Sequence, residues 1–270
     1  MIHIKYKGHI PRKNFGQNFL INQSIILKII KIINPAYKDI FIEIGPGLGS
    51  LTCPFLQLVQ KLFVIEIDLD LINKLKHICC NKKISFFNKN VLNFNFINFF
   101  NIVKQPMRIF GNLPYNISTK LILNLVLYEK NIFQDMHFML QKEVAERLLA
   151  TINNKSYGRL SVIVQYLCKV KKIIDVTSES FFPIPKVQSC FIQLIPKQKN
   201  NITLKEIVVL SKITNLAFQQ RRKMLRHSLS QMFSVNDLIQ LEINPSYRAE
   251  NVSIQNYHKL TQYFINHNNN

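Results

Sequence analysis

The sequence predicts a doubly wound α/β sheet followed by a small C-terminal all-helical domain. Three observations predict it. From residue 39, short apolar runs alternate with amphipathic stretches of helical period, the rhythm of strand–helix–strand units. Several runs are apolar at every position, as parallel strands covered on both faces are. Beyond residue 203 the strand signals stop and only helix-period patterns remain.

Candidate strands lie at 39–44, 62–67, 84–88, 107–111 and 136–140, with amphipathic helices at 69–79 and 118–128 between them. Two more β-rich runs, 160–170 and 187–195, have no long helix between them and are expected to pair antiparallel at one sheet edge. The polar stretch 196–203, rich in Lys and Asn, reads as a linker. These readings divide the chain into domains 1–198 and 199–270, with frayed residues from 267 on.

Hydrophobic residues make up 47% of the 270, ample for a core. The 35 Lys and Arg against 15 Asp and Glu leave a formal charge of +20. Such an excess points to a polyanionic partner: RNA, DNA or an acidic membrane surface. Cys53, Cys79, Cys80, Cys168 and Cys190 include no C-x-x-C pair, so no zinc knuckle is expected. Their odd number, without a disulfide framework, fits a reducing cytoplasm. No apolar run is long enough to span a bilayer. The N-terminal stretch with Lys5, Lys7, Arg12 and Lys13 lacks the apolar segment of a signal peptide.

Glu43-Ile-Gly45-Pro-Gly47-Leu-Gly49 closes the first sheet strand and opens a helix. Glycines here permit positive φ and let a ligand approach the backbone. Glu66 ends the next strand, about 20 residues on, where an acid is placed to bind ribose hydroxyls. This pairing fits an adenosine cofactor, either a nicotinamide dinucleotide or S-adenosylmethionine. The G-x-G-x-G spacing and Glu43 favour S-adenosylmethionine. A carboxylate ahead of the loop would repel a pyrophosphate, but it suits a sulfonium and an ammonium.

Asn112-Leu113-Pro114-Tyr115 follows the fourth strand and Gly111. An amide oxygen and a backbone carbonyl can accept the two hydrogens of a flat, weakly nucleophilic amine. The proline stiffens the turn and the ring stacks on the base. Together they suit alkylation of an exocyclic nucleobase amine. Phe181, ahead of the Pro183-x-Pro185 brace, is a candidate second stacking ring, with Phe182 beside it. Residues 219–227 lie in a helical pattern, with Phe218, Leu225 and Leu229 on one face and Arg222, Lys223 and Arg226 on another. With Arg221 they read as a basic helix facing phosphates, a surface that Arg12, Lys13 and Lys186 would extend.

The chain resembles the small-subunit ribosomal RNA adenine dimethyltransferases over nearly its whole length. The matching blocks are Lys13-Asn-Phe-Gly-Gln-Asn-Phe-Leu20, Glu43 to Gly49, Gly111-Asn-Leu-Pro-Tyr-Asn-Ile-Ser118 and Phe138-Met-Leu-Gln-Lys-Glu143. They continue through Tyr157-Gly-Arg-Leu-Ser161, Phe181-Phe-Pro-Ile-Pro-Lys-Val187 and Phe218-Gln-Gln-Arg-Arg-Lys223. The resemblance implies a Rossmann-like methyltransferase sheet. It implies methyl transfer from S-adenosylmethionine to N6 of two adjacent adenines near the 3′ end of 16S rRNA, within the small ribosomal subunit. A cytoplasmic monomer needing neither metal nor membrane is expected.

The resemblance implies cofactor contacts at Asn18, Leu20, Gly45, Glu66 and Asn112, beside Glu43 and Gly47. It also implies an acid after the third strand, against the amino group of the cofactor's adenine. Asn90 stands there and keeps an acceptor oxygen without the charge, an expected loss of about 1 kcal/mol. Tyr115 and Phe181 are implied as stacking partners of a flipped adenine. Large-subunit RNA adenine methylases share the core motifs but not the blocks at 138–143 and 157–161 or the long helical tail. A DNA adenine methylase would carry a different tetrad. A ribosome-assembly checkpoint acting by binding is a further alternative. Nothing resembles the hydride-transfer site of a nicotinamide dehydrogenase.

Overall fold

The computed structural model describes residues 5–79, 83–128, 131–197 and 202–267. A two-residue strand, β1 (Phe19–Leu20), leads into α1 (Gln23–Ile33). The Asn22 side chain starts this helix by accepting from the Ile25 N–H, and Asn34 stops it in the left-handed region. Ile26, Ile29, Ile30 and Ile33 bury one helical face. Then follow β2 (Ile40–Ile44), α2 (Thr52–Phe55), β3 (Leu62–Glu66), α3 (Leu69–Ile78), β4 (Ile84–Asn88), α4 (Phe96–Val103), β5 (Met107–Asn112), α5 (Ser118–Val126) and β6 (Phe133–Gln141). The side chains of Asp68 and Asn95 cap α3 and α4. Beyond β6 come α6 (Lys142–Leu149), α7 (Arg159–Leu167), β7 (Cys168–Val176), β8 (Phe181–Phe182) and β9 (Ser189–Pro196). The remaining helices are α8 (Leu204–Gln219), α9 (Leu225–Ser228), α10 (Val235–Gln240) and α11 (Ile254–His267).

The main sheet has the order β4-β3-β2-β5-β6-β9-β7. Strands β2 to β6 run parallel to one another and β9 is antiparallel to β6. The order reverses at β2, which has β3 on one side and β5 on the other. That is the switch point at which open α/β sheets form their ligand crevice, beyond the carboxyl ends of the strands. Phe41, Phe55 and Phe110 pack against β2 and β5, with Phe55 and Phe110 stacked at 4.4 Å. The buried Arg108 joins β5 to Asp135 of β6 by two 2.8 Å hydrogen bonds, fixing the register from which Asn112 projects.

All five parallel strands lie where the apolar runs placed them, although β6 begins earlier, at Phe133. The run 160–170 is corrected: it forms α7 and only the start of β7. Residues Leu160 to Val164, Tyr166 and Leu167 are all buried, so this helix shows no polar stripe. A helix buried all round gives the same unbroken apolar run as a buried strand. Its first turn is fixed by Ser161 Oγ, which accepts from Gly158 N–H and donates to the Arg147 carbonyl.

The chain divides into two units: Met1–Ala145 with Lys171–Pro196, and Glu146–Val170 with Lys197–Asn270. Helix α7 therefore groups with the C-terminal helices, across the position of a single cut at 198/199. In that unit the Tyr166 hydroxyl donates to Glu206, 40 positions away, and the Tyr157 hydroxyl to the Val252 carbonyl, 95 positions away. Residues 198–201 of the expected linker and 268–270 of the expected frayed end lie outside the described residues.

The expected basic helix at 219–227 is also corrected. Helix α8 ends at Gln219, the chain turns through residues 220–224, and α9 starts at Leu225. Arg221 is drawn away from the helical path, donating to Glu250 at 2.7 and 2.9 Å and to the Lys155 carbonyl at 2.6 Å. Cys53 and Cys79 form a disulfide between α2 and the end of α3, with Cα atoms 6.2 Å apart, where none was expected. Their separation of 26 positions carries no local signal; the packing of two helices brings them together. Among the described residues, no helix is long and apolar enough to cross a membrane.

Candidate active site

The carboxyl ends of β2, β3 and β5 carry Glu43, Glu66 and Asn112 to one place, as their positions in the strands require. They line a cavity of about 70 Å³ with Asn18, Leu20, Gly45 and Gly47. Leu113, Pro114 and Tyr115 line the same cavity. A second cavity of about 280 Å³ shares Phe15, Gly45, Glu66 and Pro114 with the first and adds Asn14 and Asn90. Asn90 Oδ1 accepts from Leu92 N–H at 3.0 Å, so part of its acceptor capacity holds the turn at Val91–Asn93.

Two glycines shape this site by necessity. Gly45 has φ +65°, a region where side chains are strained. At Gly111 a Cβ would stand 2.3 Å from the Ile44 carbonyl oxygen, so the close approach of β5 to the end of β2 requires glycine.

Glu43 is 2% exposed and accepts from Thr52 Oγ1 at 2.7 Å. Burial raises its pKa to about 8, against the lowering effect of the Thr52 hydrogen bond. Burial likewise raises the pKa of Glu66, which accepts from the Asp68 N–H at 3.0 Å. A buried carboxylate facing a cavity suits a cationic ligand, which would supply the charge that burial has removed from its surroundings. The glycine loop leaves room for that ligand, and Glu66 stands where the two cavities join. These residues fit S-adenosylmethionine: Glu43 and the loop for its cationic end, Glu66 for its ribose, and the larger cavity for its adenine.

A pH dependence follows from Glu43. At neutral pH the free protein holds a proton there, which a cationic ligand must displace. Cofactor affinity should therefore rise with pH until about 8, with net proton release on binding at pH 7. Calorimetry in buffers of different ionisation enthalpy measures that release, and Glu43→Gln should remove it. In the free protein the raised pKa means that the folded state binds more protons than the unfolded one. Between pH 4.5 and about 8, the contribution of Glu43 to stability therefore falls as pH rises.

Asn112 Nδ2 donates to the Asn18 carbonyl at 2.7 Å. That carbonyl can only accept, so the amide nitrogen must face it and Oδ1 must face away. The Leu113 N–H donates to the Met139 carbonyl at 3.2 Å, extending the β5–β6 ladder past the strand and fixing the Leu113 peptide plane. The turn is closed by Ile117 N–H on the Pro114 carbonyl and by Ser118 Oγ on the Tyr115 carbonyl. The half-buried Tyr115 is tethered by its hydroxyl, 2.9 Å from Ser189 Oγ. Burial raises its pKa, so it stays a neutral ring at the cavity wall.

Position bears on three of the expected roles. Phe181 is 1% exposed, inside the core with Leu20, Phe110 and Phe191, and an enclosed ring offers no face to a base. In the two-residue strand β8 alternation turns one ring in and the next out, and Phe182 is the partly exposed one. Arg12 is an exposed but paired cation: it donates to Asp68 at 3.0 Å and to Asp70. Arg221 is held by Glu250 and the Lys155 carbonyl. Lys13 and Lys186 are exposed on the first unit, and Arg222, Lys223 and Arg226 on the second.

Sequence reasoning missed Thr52, Asp68 and Ser189, which hold Glu43, Glu66 and Tyr115, and Gln17, which holds Asp68. Gln17 sits inside the matching block at 13–20 and Asp68 two residues after Glu66, both usable signals. Thr52 and Ser189 have no signal beyond ordinary sequence.

A doubly wound sheet with an acid, a glycine loop and a second acid at its switch point, and an amide tetrad beside them, defines an S-adenosylmethionine-dependent methyltransferase. The chain belongs to the ribosomal RNA adenine dimethylase family, whose sequence model matches residues 8–266. It is 54% identical over 265 residues to the Ribosomal RNA small subunit methyltransferase A of Buchnera aphidicola from Acyrthosiphon pisum, covering 98% of this chain and 97% of that protein. The Escherichia coli O139:H28 protein of the same name is 46% identical over 259 residues, covering 96% of this chain and 94% of that one. Among solved structures, a dimethyladenosine transferase from Plasmodium falciparum superposes with a TM-score of 0.78 at 28% identity, covering 92% of this chain and 98% of its own. The 23S rRNA methyltransferase ErmE superposes with a TM-score of 0.69 at 20% identity over 92% of this chain and 99% of its own, a likeness of fold.

Proposed function

We propose that this protein methylates N6 of two adjacent adenosines near the 3′ end of 16S rRNA, each twice, within the small ribosomal subunit and as part of its biogenesis. The observation that carries this reading is the Asn112 amide: it lines the cofactor cavity with its nitrogen committed to Asn18, which leaves its oxygen for a substrate amine. S-adenosylmethionine, when bound, supplies an electrophilic methyl already activated by its sulfonium.

The N6 lone pair of adenine is delocalised into the ring and attacks poorly. Asn112 Oδ1 and the Leu113 carbonyl would accept the two N6 hydrogens, drawing the lone pair out of the ring plane and aiming it at the methyl. Tyr115, fixed by Ser189, would stack on the extruded base, worth about 1–3 kcal/mol. No strong base is called for, because the alkylated ammonium is acidic and can lose its proton to water.

The small subunit is favoured over the large by the names of the relatives that share about half of this chain's residues, whereas the likeness to ErmE is one of fold. Incubating labelled S-adenosylmethionine with unmethylated small and large subunits separately tests the choice. Label should enter the small subunit; entry into the large one alone would overturn the reading.

The helical unit, with Arg222, Lys223 and Arg226 exposed, is the proposed RNA-binding domain, and Lys13 and Lys186 are proposed to contact RNA from the first unit. The protein is proposed to act as a cytoplasmic monomer. Replacing Arg222, Lys223 and Arg226 by Gln should reduce the slope of log affinity against log salt by about 0.7 per lost phosphate contact. An unchanged slope would remove these side chains from the interface.

A further inference from the structure

The orientation of the Asn112 amide depends on contacts that begin outside the tetrad. The side chain of Asp68, at the start of α3, is fully enclosed. Its Oδ1 accepts from Arg12 Nη1 at 3.0 Å and from the Asp70 N–H at 3.1 Å. Its Oδ2 accepts from Gln17 Nε2 at 2.8 Å. Gln17 Oε1 in turn accepts from the Arg12 N–H at 2.7 Å and lies 3.0 Å from His9 Nε2. The residue after Gln17 is Asn18, whose carbonyl takes the Asn112 amide nitrogen. Arg12 also pairs with Asp70, and Lys74 holds the Gly8 carbonyl at 2.6 Å. The segment from His9 to Asn18 is thus tied to the end of β3 and the start of α3 at several points.

An asparagine amide has nearly the same shape after a half-turn about its terminal bond. Turned the wrong way, Asn112 would offer two donors to an amine that also needs acceptors. The Asn18 carbonyl selects the productive orientation, and it does so only while segment 9–18 holds its place. A shift of about 1 Å in a positioning group can cost on the order of 10²-fold in rate.

We propose that Gln17 and Asp68 are positioning residues for methyl transfer: through the Asp68–Gln17–Asn18 chain they hold the Asn112 amide with Oδ1 toward the substrate amine. This rests on the reading of Asn112 as the acceptor of the amine hydrogens. Asp68 also caps α3, an ordinary duty for a helix-start aspartate, so the test must separate the two.

The separation comes from exchanging donor and acceptor. Gln17→Glu sets two carboxylates against each other with no change of shape. In the double variant Gln17→Glu, Asp68→Asn, the amide and the carboxylate have traded places. An oxygen at 17 still meets His9 and the Arg12 N–H, and an oxygen at 68 still meets Arg12 and the Asp70 N–H. The cap on α3 survives in both proteins.

Turnover on unmethylated small subunits and cofactor affinity are measured for each. Gln17→Glu should lose between about tenfold and 10²-fold in kcat, with cofactor affinity changed far less. The double variant should recover most of the loss. Gln17→Met, neutral and similar in length, should show the same kcat loss and serves if the carboxylate variant fails to fold. Wild-type turnover in a folded single variant would overturn the proposal. So would equal losses of kcat and cofactor affinity, or a folded double variant no better than the single one. Asn112→Ala is run in parallel. If Asn112→Ala is impaired and Gln17→Glu is not, the positioning chain alone fails; if Asn112→Ala keeps full turnover, the acceptor reading beneath it fails.

Discussion

Asn112→Ala should lower methyl transfer by about 10²–10³-fold, the scale of losing one preorganised hydrogen-bond acceptor or donor in an active site. The loss should fall on turnover far more than on cofactor affinity. Glu43, Glu66 and the glycine loop remain in place to hold the cofactor, whereas the adenine amine keeps only the Leu113 carbonyl. The substitution removes the side chain that receives the amine without touching the sheet, because the backbone of Asn112 stays within the β5–β6 ladder, opposite Met139. Single-turnover transfer of labelled methyl to unmethylated small subunits measures the effect directly. Turnover within a few-fold of the parent would mean that the amine is activated by another group.

Gly111→Ala should be the most disruptive single-methyl change in the first unit. An added Cβ would lie 2.3 Å from the Ile44 carbonyl oxygen and 3.2 Å from its carbon, both backbone atoms of the neighbouring strand. Neither can swing aside as a side-chain end could, so β2 and β5 must part at the point where Glu43 and Asn112 emerge. Overpacking of this kind costs about 1–3 kcal/mol in stability. Displacing Asn112 by about 1 Å adds a rate loss on the order of 10²-fold. Thermal unfolding and transfer assays on the same protein should both show the damage. A variant with the parent's melting temperature and turnover would contradict the strand approach described here.

The cofactor half of the site was legible because its residues sit at strand ends, and strand ends follow from apolar runs bounded by glycine or polar residues. Glu43, Glu66 and Asn112 are far apart in the chain yet close in space, because parallel strands all deliver their carboxyl ends to one edge. Side chains whose role depends on a remote partner were not legible. Arg12 reads as a free cation until Asp68, 56 positions later, is seen to hold it. Arg221 reads as part of a basic helix until Glu250 turns it aside. Phe181 and Phe182 are equivalent in sequence, and only the pairing of Leu20 with Phe181 and of Phe19 with Phe182 shows which one enters the core. The run that forms α7 reads as a strand because complete burial erases the periodicity that distinguishes the two.

In the proposed reaction the Asn112 tetrad presents N6 of adenine in small-subunit RNA to the methyl donor. Its most direct test is to incubate the protein with isotopically labelled S-adenosylmethionine and unmethylated small subunits, digest the RNA and locate the label by mass spectrometry. The prediction is two adjacent N6,N6-dimethyladenosines near the 3′ end of 16S rRNA, absent with the Asn112→Ala protein. Label on another base, on a ring nitrogen or on isolated adenines elsewhere in the RNA would contradict it.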